Sequence, residues 1–192
     1  MDKGPLILLA SRSPRRAGLL REAGYRYRQG DPPFADPPQP EHGEAVRLAQ
    51  DLAQAKARSV READAAGVDV ILAADTIVVA PDGTLLGQPA HEQDARRMLG
   101  LLVEKTHQVV TGVCLRWLAT GRLDVFADVA RVTFGAVSVE ELDRYLSSGG
   151  WRGKAGAYNL AELEGHWPIR VDGDPTTVVG LPMATFAERL RT

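Results

Sequence analysis

Val109-Val-Thr-Gly-Val-Cys-Leu-Arg-Trp-Leu118, the four residues Ala119-Thr-Gly-Arg122, and then Leu123-Asp-Val-Phe-Ala-Asp-Val-Ala-Arg-Val-Thr-Phe134 decide the fold class of this chain. Two long stretches rich in β-branched and apolar residues flank a short glycine-containing segment, which is the signature of a β-hairpin. Everything upstream reads as alternating strand and helix, an order that alone would give a parallel, doubly wound sheet. The hairpin adds antiparallel strands. The expectation is therefore an α/β fold with a mixed, mostly central β-sheet flanked by helices.

Working outward, Leu6-Ile-Leu-Leu-Ala10 reads as a strand that delivers Ser11-Arg-Ser-Pro-Arg-Arg16 to the start of a helix running from Arg15 to Ala23 and stopped by Gly24. Ser13 is a good N-cap and Pro14 suits the first helical position. Asp31 to Pro40 is a proline-rich extended connector. Glu44 to about Ala66 has apolar residues at helical spacing and ends at Gly67. Val70–Ala74 and Ile77–Ala80 read as apolar strands on either side of Asp75-Thr76, turned by Pro81-Asp-Gly83. Glu92–Leu102 is helical, and Ser138 caps a helix, Val139 to Ser147, ended by Gly149-Gly150. A strand from Trp167 to Val171, a turn at Asp172-Gly-Asp-Pro175 and a helix from about Met183 to Leu190 complete the chain.

The chain has 192 residues, 44% hydrophobic and 25% charged, which fits one globular unit with a real core. A net charge of -2 argues against a general nucleic-acid binder, since such affinity rests on accumulated Lys and Arg. The single cysteine, Cys114, lies in an apolar stretch and reads as a reduced, buried hydrophobe, compatible with the cytoplasm. No apolar run approaches the roughly 18 residues of a membrane span, and no export signal is read.

Several residue types carry chemistry. A helix N-terminus presents free amides and positive dipole, to which Ser11, Ser13, Arg15 and Arg16 add hydroxyl and guanidinium donors. Cations there oppose the dipole unless an anion arrives, which favours phosphate over a merely capped surface helix. Asp75 is a carboxylate in an otherwise apolar run; it needs a cation, a metal or donors, or else it bonds its own backbone in an Asx turn. Lys56 flanks an alanine-rich helix face and either reaches inward or sits in solvent. Gly153-Lys154-Ala-Gly156 fails the Walker test on glycine spacing and on Ala155. No zinc signature, nucleophile elbow or catalytic cysteine motif is present, and the two acids of Asp172-Gly-Asp-Pro175 fit a turn.

Leu8-Leu-Ala-Ser-Arg-Ser-Pro-Arg-Arg16, Lys56-Ala57, Ala74-Asp-Thr76, Thr106-His-Gln-Val-Val-Thr-Gly112, Lys154-Ala-Gly-Ala-Tyr158 and Val179-Gly-Leu-Pro182 together resemble the Maf family of nucleoside triphosphate pyrophosphatases. The resemblance spans nearly the whole chain. It implies a single Maf-like domain over residues 1–192, with a cleft between two lobes as in inosine triphosphatase-like folds. It further implies a cytoplasmic, usually homodimeric enzyme that uses a divalent cation, Mg²⁺ or Mn²⁺, to split nucleoside triphosphates into monophosphate and pyrophosphate. House-cleaning of non-standard or pyrimidine nucleotides is the implied role, without nucleic-acid or membrane partners.

By the same resemblance Asp75 matches the general base, and Ser11, Arg15, Arg16 and Lys56 match the phosphate-contacting set, with Asp75, Lys56 and Arg16 the catalytic candidates. Asp36 falls near a functional acid of the family and joins Asp75 as a metal-ligand candidate. Arg15 and Thr76 lie where the pyrimidine-preferring branch carries Arg and Thr. Ser13, Gln88 and Lys154 complete the expected substrate-binding set. Two departures stand out: Leu86-Gly-Gln-Pro89 has Gln88 where the family has lysine, and Ala161 replaces a specificity glutamine. They keep open an alternative, a nucleotide-binding regulatory protein linked to cell division with weak or lost catalysis.

Overall fold

A computed structural model describes residues 4–37 and 40–191. Pro38 and Gln39, in the proline-rich connector, lie outside the described residues. The expected hairpin is the backbone of the fold: β5 (Thr106–Trp117) and β6 (Leu123–Phe134) pair antiparallel from Thr106↔Thr133 to Arg116↔Leu123. β5 also runs antiparallel to β3 (Val70–Val79), and β3 runs parallel to β1 (Ile7–Ala10). The mixed seven-stranded sheet has the order β2-β1-β3-β5-β6-β7, with β2 (Tyr27–Gly30) and β7 (Ile169–Asp172) at its edges and β4 (Leu85–Leu86) paired to the far end of β3.

Helices cover both faces. Side chains alternate along β3, so Val70, Leu72 and Ala74 face α1 (Pro14–Glu22) and α7 (Met183–Arg189), burying Leu20 and Phe186. Ile71, Ala73 and Ile77 face α2 (Ala45–Ser59), which lays Ala49, Leu52, Ala53 and Ala57 on the sheet. Past Ala74 the strands enter a second core, where Val78, Val109, Val132 and Phe134 meet α3 (Glu92–Leu102), α4 (Val139–Ser148), the short α5 (Leu160–Leu163) and an aromatic group that includes Tyr158 and Trp167. The two cores share the long strands, and the cleft opens between them. Among the described residues no helix is long and apolar enough to cross a membrane.

Several expectations are corrected. Asp75 does not separate two strands; it sits inside one continuous strand, because Gly112 and Thr111 of β5 pair across it and Thr76 without a break. The helix expected to reach Ala66 ends at Ser59: Val60 is extended and buried, and a 3₁₀ turn, Glu62–Ala65, follows instead. The strand expected from Trp167 begins at Ile169, since Trp167 makes only an isolated bridge to Glu164. Asp172-Gly-Asp-Pro175 is not only a turn, because Asp174 accepts from the Thr176 N–H and caps a short helix, α6 (Pro175–Val179). Strand β2, half-exposed and four residues long, had no apolar run to announce it.

One glycine fixes where α2 sits. A Cβ at Gly112 would lie 2.3 Å from the backbone carbonyl of Ala49, so the helix approaches β5 as closely as it does only because residue 112 has no side chain. Ala49 and Lys56 are two helical turns apart on the same face, so this contact also sets the reach of Lys56. Gly112→Ala is expected to cost about 1–3 kcal/mol through overpacking and to lower turnover by displacing Lys56; thermal unfolding and steady-state rates check both.

His107 is buried at 2% exposure, with Nε2 3.0 Å from the Tyr158 hydroxyl and Nδ1 unpartnered. Burial pushes its imidazole down to about 4. The unfolded chain takes up this proton near pH 6.5, whereas the folded chain resists until about pH 4. The stability contributed by neutral His107 is therefore complete above pH ~6.5 and lost progressively as pH falls toward 4, a change of about 3 kcal/mol. Unfolding midpoints measured across that window should fall with pH in the parent, and the slope should flatten in His107→Gln.

Candidate active site

Strand β1 pairs with β3 through Leu9↔Leu72 and ends at Ala10, whereas β4 joins the same edge of β3 only at Val78. Between these points the edge of β3 is vacated, and Asp75 and Thr76 lie in the gap. A cleft at the carboxyl end of a strand, where its neighbours diverge, is the usual ligand position in open α/β sheets. Here it is a cavity of about 430 Å³, lined among others by Ser11, Ser13, Arg15, Arg16, Asp36, Lys56, Asp75, Thr76, Gln88 and Lys154. All ten residues singled out in the sequence therefore border one space.

Alternation along β3 sends Asp75 to the α2 face and Thr76 to the α1 face. On the α2 side, Lys56 Nζ donates to Asp75 Oδ1 at 2.5 Å and lies 2.7 Å from Asp36 Oδ1, with the Phe34 ring 5.9 Å away. Lys56 and Asp75 are nearly buried, their side chains 12% and 11% exposed, while Asp36 is half-exposed on the proline-rich connector. The second carboxylate oxygen of Asp75, Oδ2, is buried without a hydrogen-bond partner. Burial pushes the Asp75 carboxyl above the usual carboxylate range, against the Lys56 ammonium and the Arg16 guanidinium, which hold it down.

On the α1 side, Ser13 caps the helix by accepting from the Arg16 N–H, and the Ser11 hydroxyl accepts from the Ser13 N–H at 3.2 Å. Arg16 turns inward. It donates from Nε to the Gly180 carbonyl (2.7 Å), from Nη1 to Ser11 Oγ (3.1 Å) and from Nη2 to Thr76 Oγ1 (3.1 Å). Gly180 has φ +116°, and a Cβ there would sit 3.2–3.4 Å from Thr76 Oγ1 and the Arg16 guanidinium, so the absence of a side chain leaves Arg16 its place. Arg15 lies half-buried beside it. Burial lowers the pKa of both arginines, with Asp75 opposing the effect at Arg16 and Glu162 opposing it at Arg15.

The opposite wall carries Lys154, whose ammonium donates to the Gly150 carbonyl at 2.5 Å and lies 3.6 Å from Glu162. Gly156 N–H donates to the Gly87 carbonyl (3.0 Å), which ties this loop to the turn bearing Gln88. Gln88 is exposed at the rim, and Ala161 is exposed outside the lining. Residues not singled out also contribute: Phe34 packs over Lys56, Tyr158 forms part of the wall, and Thr111 bonds Thr76 at 2.9 Å. Thr111 was visible only as part of the segment Thr106 to Gly112.

The cleft's oxygen donors bear on whether it can hold a divalent cation. No group of three or more His, Cys, Asp or Glu side chains among the described residues is placed to hold a metal. Two carboxylates, Asp36 and Asp75, are nevertheless brought to one ammonium, and Asp75 Oδ2 is a hard oxygen with no protein hydrogen-bond partner. That suits a cation such as Mg²⁺, which is held by one or two carboxylates and keeps water and phosphate oxygens as its remaining ligands. The residues fit the group, with Lys56 in direct competition for them.

Fold and site thus define a mixed α/β protein whose cleft sets guanidinium, ammonium and helix-N-terminal donors against one buried carboxylate. This chain belongs to the Maf-like protein family, whose family model matches residues 6–192. It is 39% identical over 189 residues to a dTTP/UTP pyrophosphatase of Shouchella clausii, covering 96% of this chain and 93% of that protein. A dTTP/UTP pyrophosphatase of Koribacter versatilis is 39% identical over 185 residues (96% and 93%), and one of Brucella abortus 41% over 184 residues (92% and 86%).

Proposed function

We propose that this chain hydrolyses the pyrimidine nucleoside triphosphates dTTP and UTP to the nucleoside monophosphate and pyrophosphate. The observation that carries the reading is Asp75: a buried carboxylate with one oxygen neutralised by Lys56 and the other unpartnered, at a cleft lined with phosphate-type donors. The names of the relatives supply the substrate class.

Asp75 Oδ2 orients a water and accepts its proton while the water oxygen attacks the α-phosphorus. The bond from that phosphorus to the bridging oxygen breaks, and pyrophosphate leaves with that oxygen. Ser11, Arg15, Arg16 and the α1 N-terminus hold the triphosphate, Lys56 meets the charge that develops during transfer, and Lys154 faces them from the other wall. Phosphoryl chemistry of this kind needs positioning and charge neutralisation more than a covalent nucleophile. Asp36 and Asp75 would hold a divalent cation, which supplies further neutralisation of phosphate charge when bound. Of the two departures from the family pattern, Gln88 is an exposed residue of the cleft lining and Ala161 lies exposed outside it. The reading includes a single Maf-like domain over residues 1–192, a homodimer and a cytoplasmic setting, for which the family resemblance is the support.

The test is a panel of ordinary and modified nucleoside triphosphates with Mg²⁺ or Mn²⁺, scored for pyrophosphate against orthophosphate. Pyrophosphate from dTTP and UTP ahead of the purine nucleotides is expected. Orthophosphate as the sole product, or binding without turnover, overturns the assignment.

A further inference from the structure

Thr111 stands in the middle of β5, fully buried, directly opposite Thr76 on β3 and Asp128 on β6. Thr111 does not line the cleft itself, whereas Thr76, its partner across the strands, does. The Thr111 hydroxyl donates to the Thr177 carbonyl at 2.8 Å, an interaction with only one direction because a carbonyl cannot donate. A threonine hydroxyl has one proton, so the Thr111 proton is spent. The 2.9 Å contact between the Thr111 and Thr76 hydroxyls must then be donated by Thr76. Thr76 Oγ1 is left with lone pairs alone, and these accept from Arg16 Nη2 at 3.1 Å.

We infer that Thr111 is a positioning residue: it commits the Thr76 proton inward and so makes Thr76 the acceptor that aims Arg16. The chain is anchored at its far end, where the Thr177 hydroxyl donates to the Asp128 carboxylate. Ser11, Thr76 and Gly180 together take one N–H from each guanidinium nitrogen, which leaves one on Nη1 and one on Nη2 for a substrate oxyanion. Thr76 is thereby a support for Arg16 and not a donor to the nucleotide, a different use from the substrate contact that the family resemblance assigns it. The inference rests on the reading of Arg16 as a triphosphate ligand.

The test measures affinity for α,β-methylene-UTP by calorimetry, which needs no turnover, together with kcat and KM for UTP. Thr111→Val keeps the shape and removes the hydroxyl; it should weaken analogue binding and lower kcat by about tenfold each, the scale of one well-aimed charged hydrogen bond. Thr111→Ser should restore both to within about twofold of the parent. In a Thr76→Val background, Thr111→Val should have no further effect on binding. Additive effects in that background, equal impairment by Val and Ser, or unchanged affinity with only a lower unfolding midpoint would each overturn the role. Should Thr111→Val fail to fold, Thr76→Val alone must show the same loss of affinity, and near-parental binding overturns the inference. A parent that binds the analogue but releases no pyrophosphate refutes the proposed activity while leaving the binding arm of this test intact.

Discussion

Asp75→Asn is expected to lower kcat/KM for UTP by about 10²–10⁴-fold, the range a positioned general base contributes. The asparagine keeps the shape and can still accept from Lys56, but it cannot take a proton from water. Folding should survive the change. The substitution removes a charge whose burial is itself unfavourable, and Lys56 retains Asp36 at 2.7 Å, so the unfolding midpoint should move by only a few degrees. Pyrophosphate release and calorimetric unfolding, measured on the same preparation, separate the two effects; a loss in rate of less than tenfold would contradict the role.

Lys56→Gln carries the second large effect, and its two consequences have opposite signs. Turnover should fall on the order of 10²-fold, because one cation aimed at the developing phosphate charge is lost. Affinity of the free protein for Mn²⁺, read by electron paramagnetic resonance without nucleotide, should rise by roughly tenfold. The ammonium stands 2.5 and 2.7 Å from the two carboxylates that would hold the cation, so in the free protein it is their competitor. Nucleotide phosphates give Lys56 another partner and should tighten Mn²⁺ binding in the parent more than in the variant, with Mn²⁺ tightening nucleotide binding by the same factor. Mn²⁺ affinity unchanged or weakened by Lys56→Gln would show that the two do not share the site.

The sequence was informative where local chemistry decides structure. The hairpin of β5 and β6, the run Glu92–Leu102 and the Ser13–Pro14 helix start all follow from turn residues, periodicity and capping, and each is present as expected. Asp75 was legible as a charge needing a partner. That its strand is unbroken was not, because Gly112 and Thr111, which pair across it, belong to a strand far along the chain. Arg16 illustrates the same limit at the site. Its position at a helix start suggested an anion, yet three of its hydrogen bonds go to Ser11, Thr76 and Gly180, the last of them 164 residues away. The pairing of Asp36 with Lys56 depends on how a proline-rich connector folds back over α2, which no periodicity encodes.

The central claim is that water attacks the α-phosphorus, the atom the cleft sets before Asp75. Hydrolysis of UTP in ¹⁸O-enriched water, followed by mass spectrometry of both products, tests it most directly. Label in the uridine monophosphate and none in the pyrophosphate is the predicted result; label in the pyrophosphate, which would mean attack on the β-phosphorus, contradicts it.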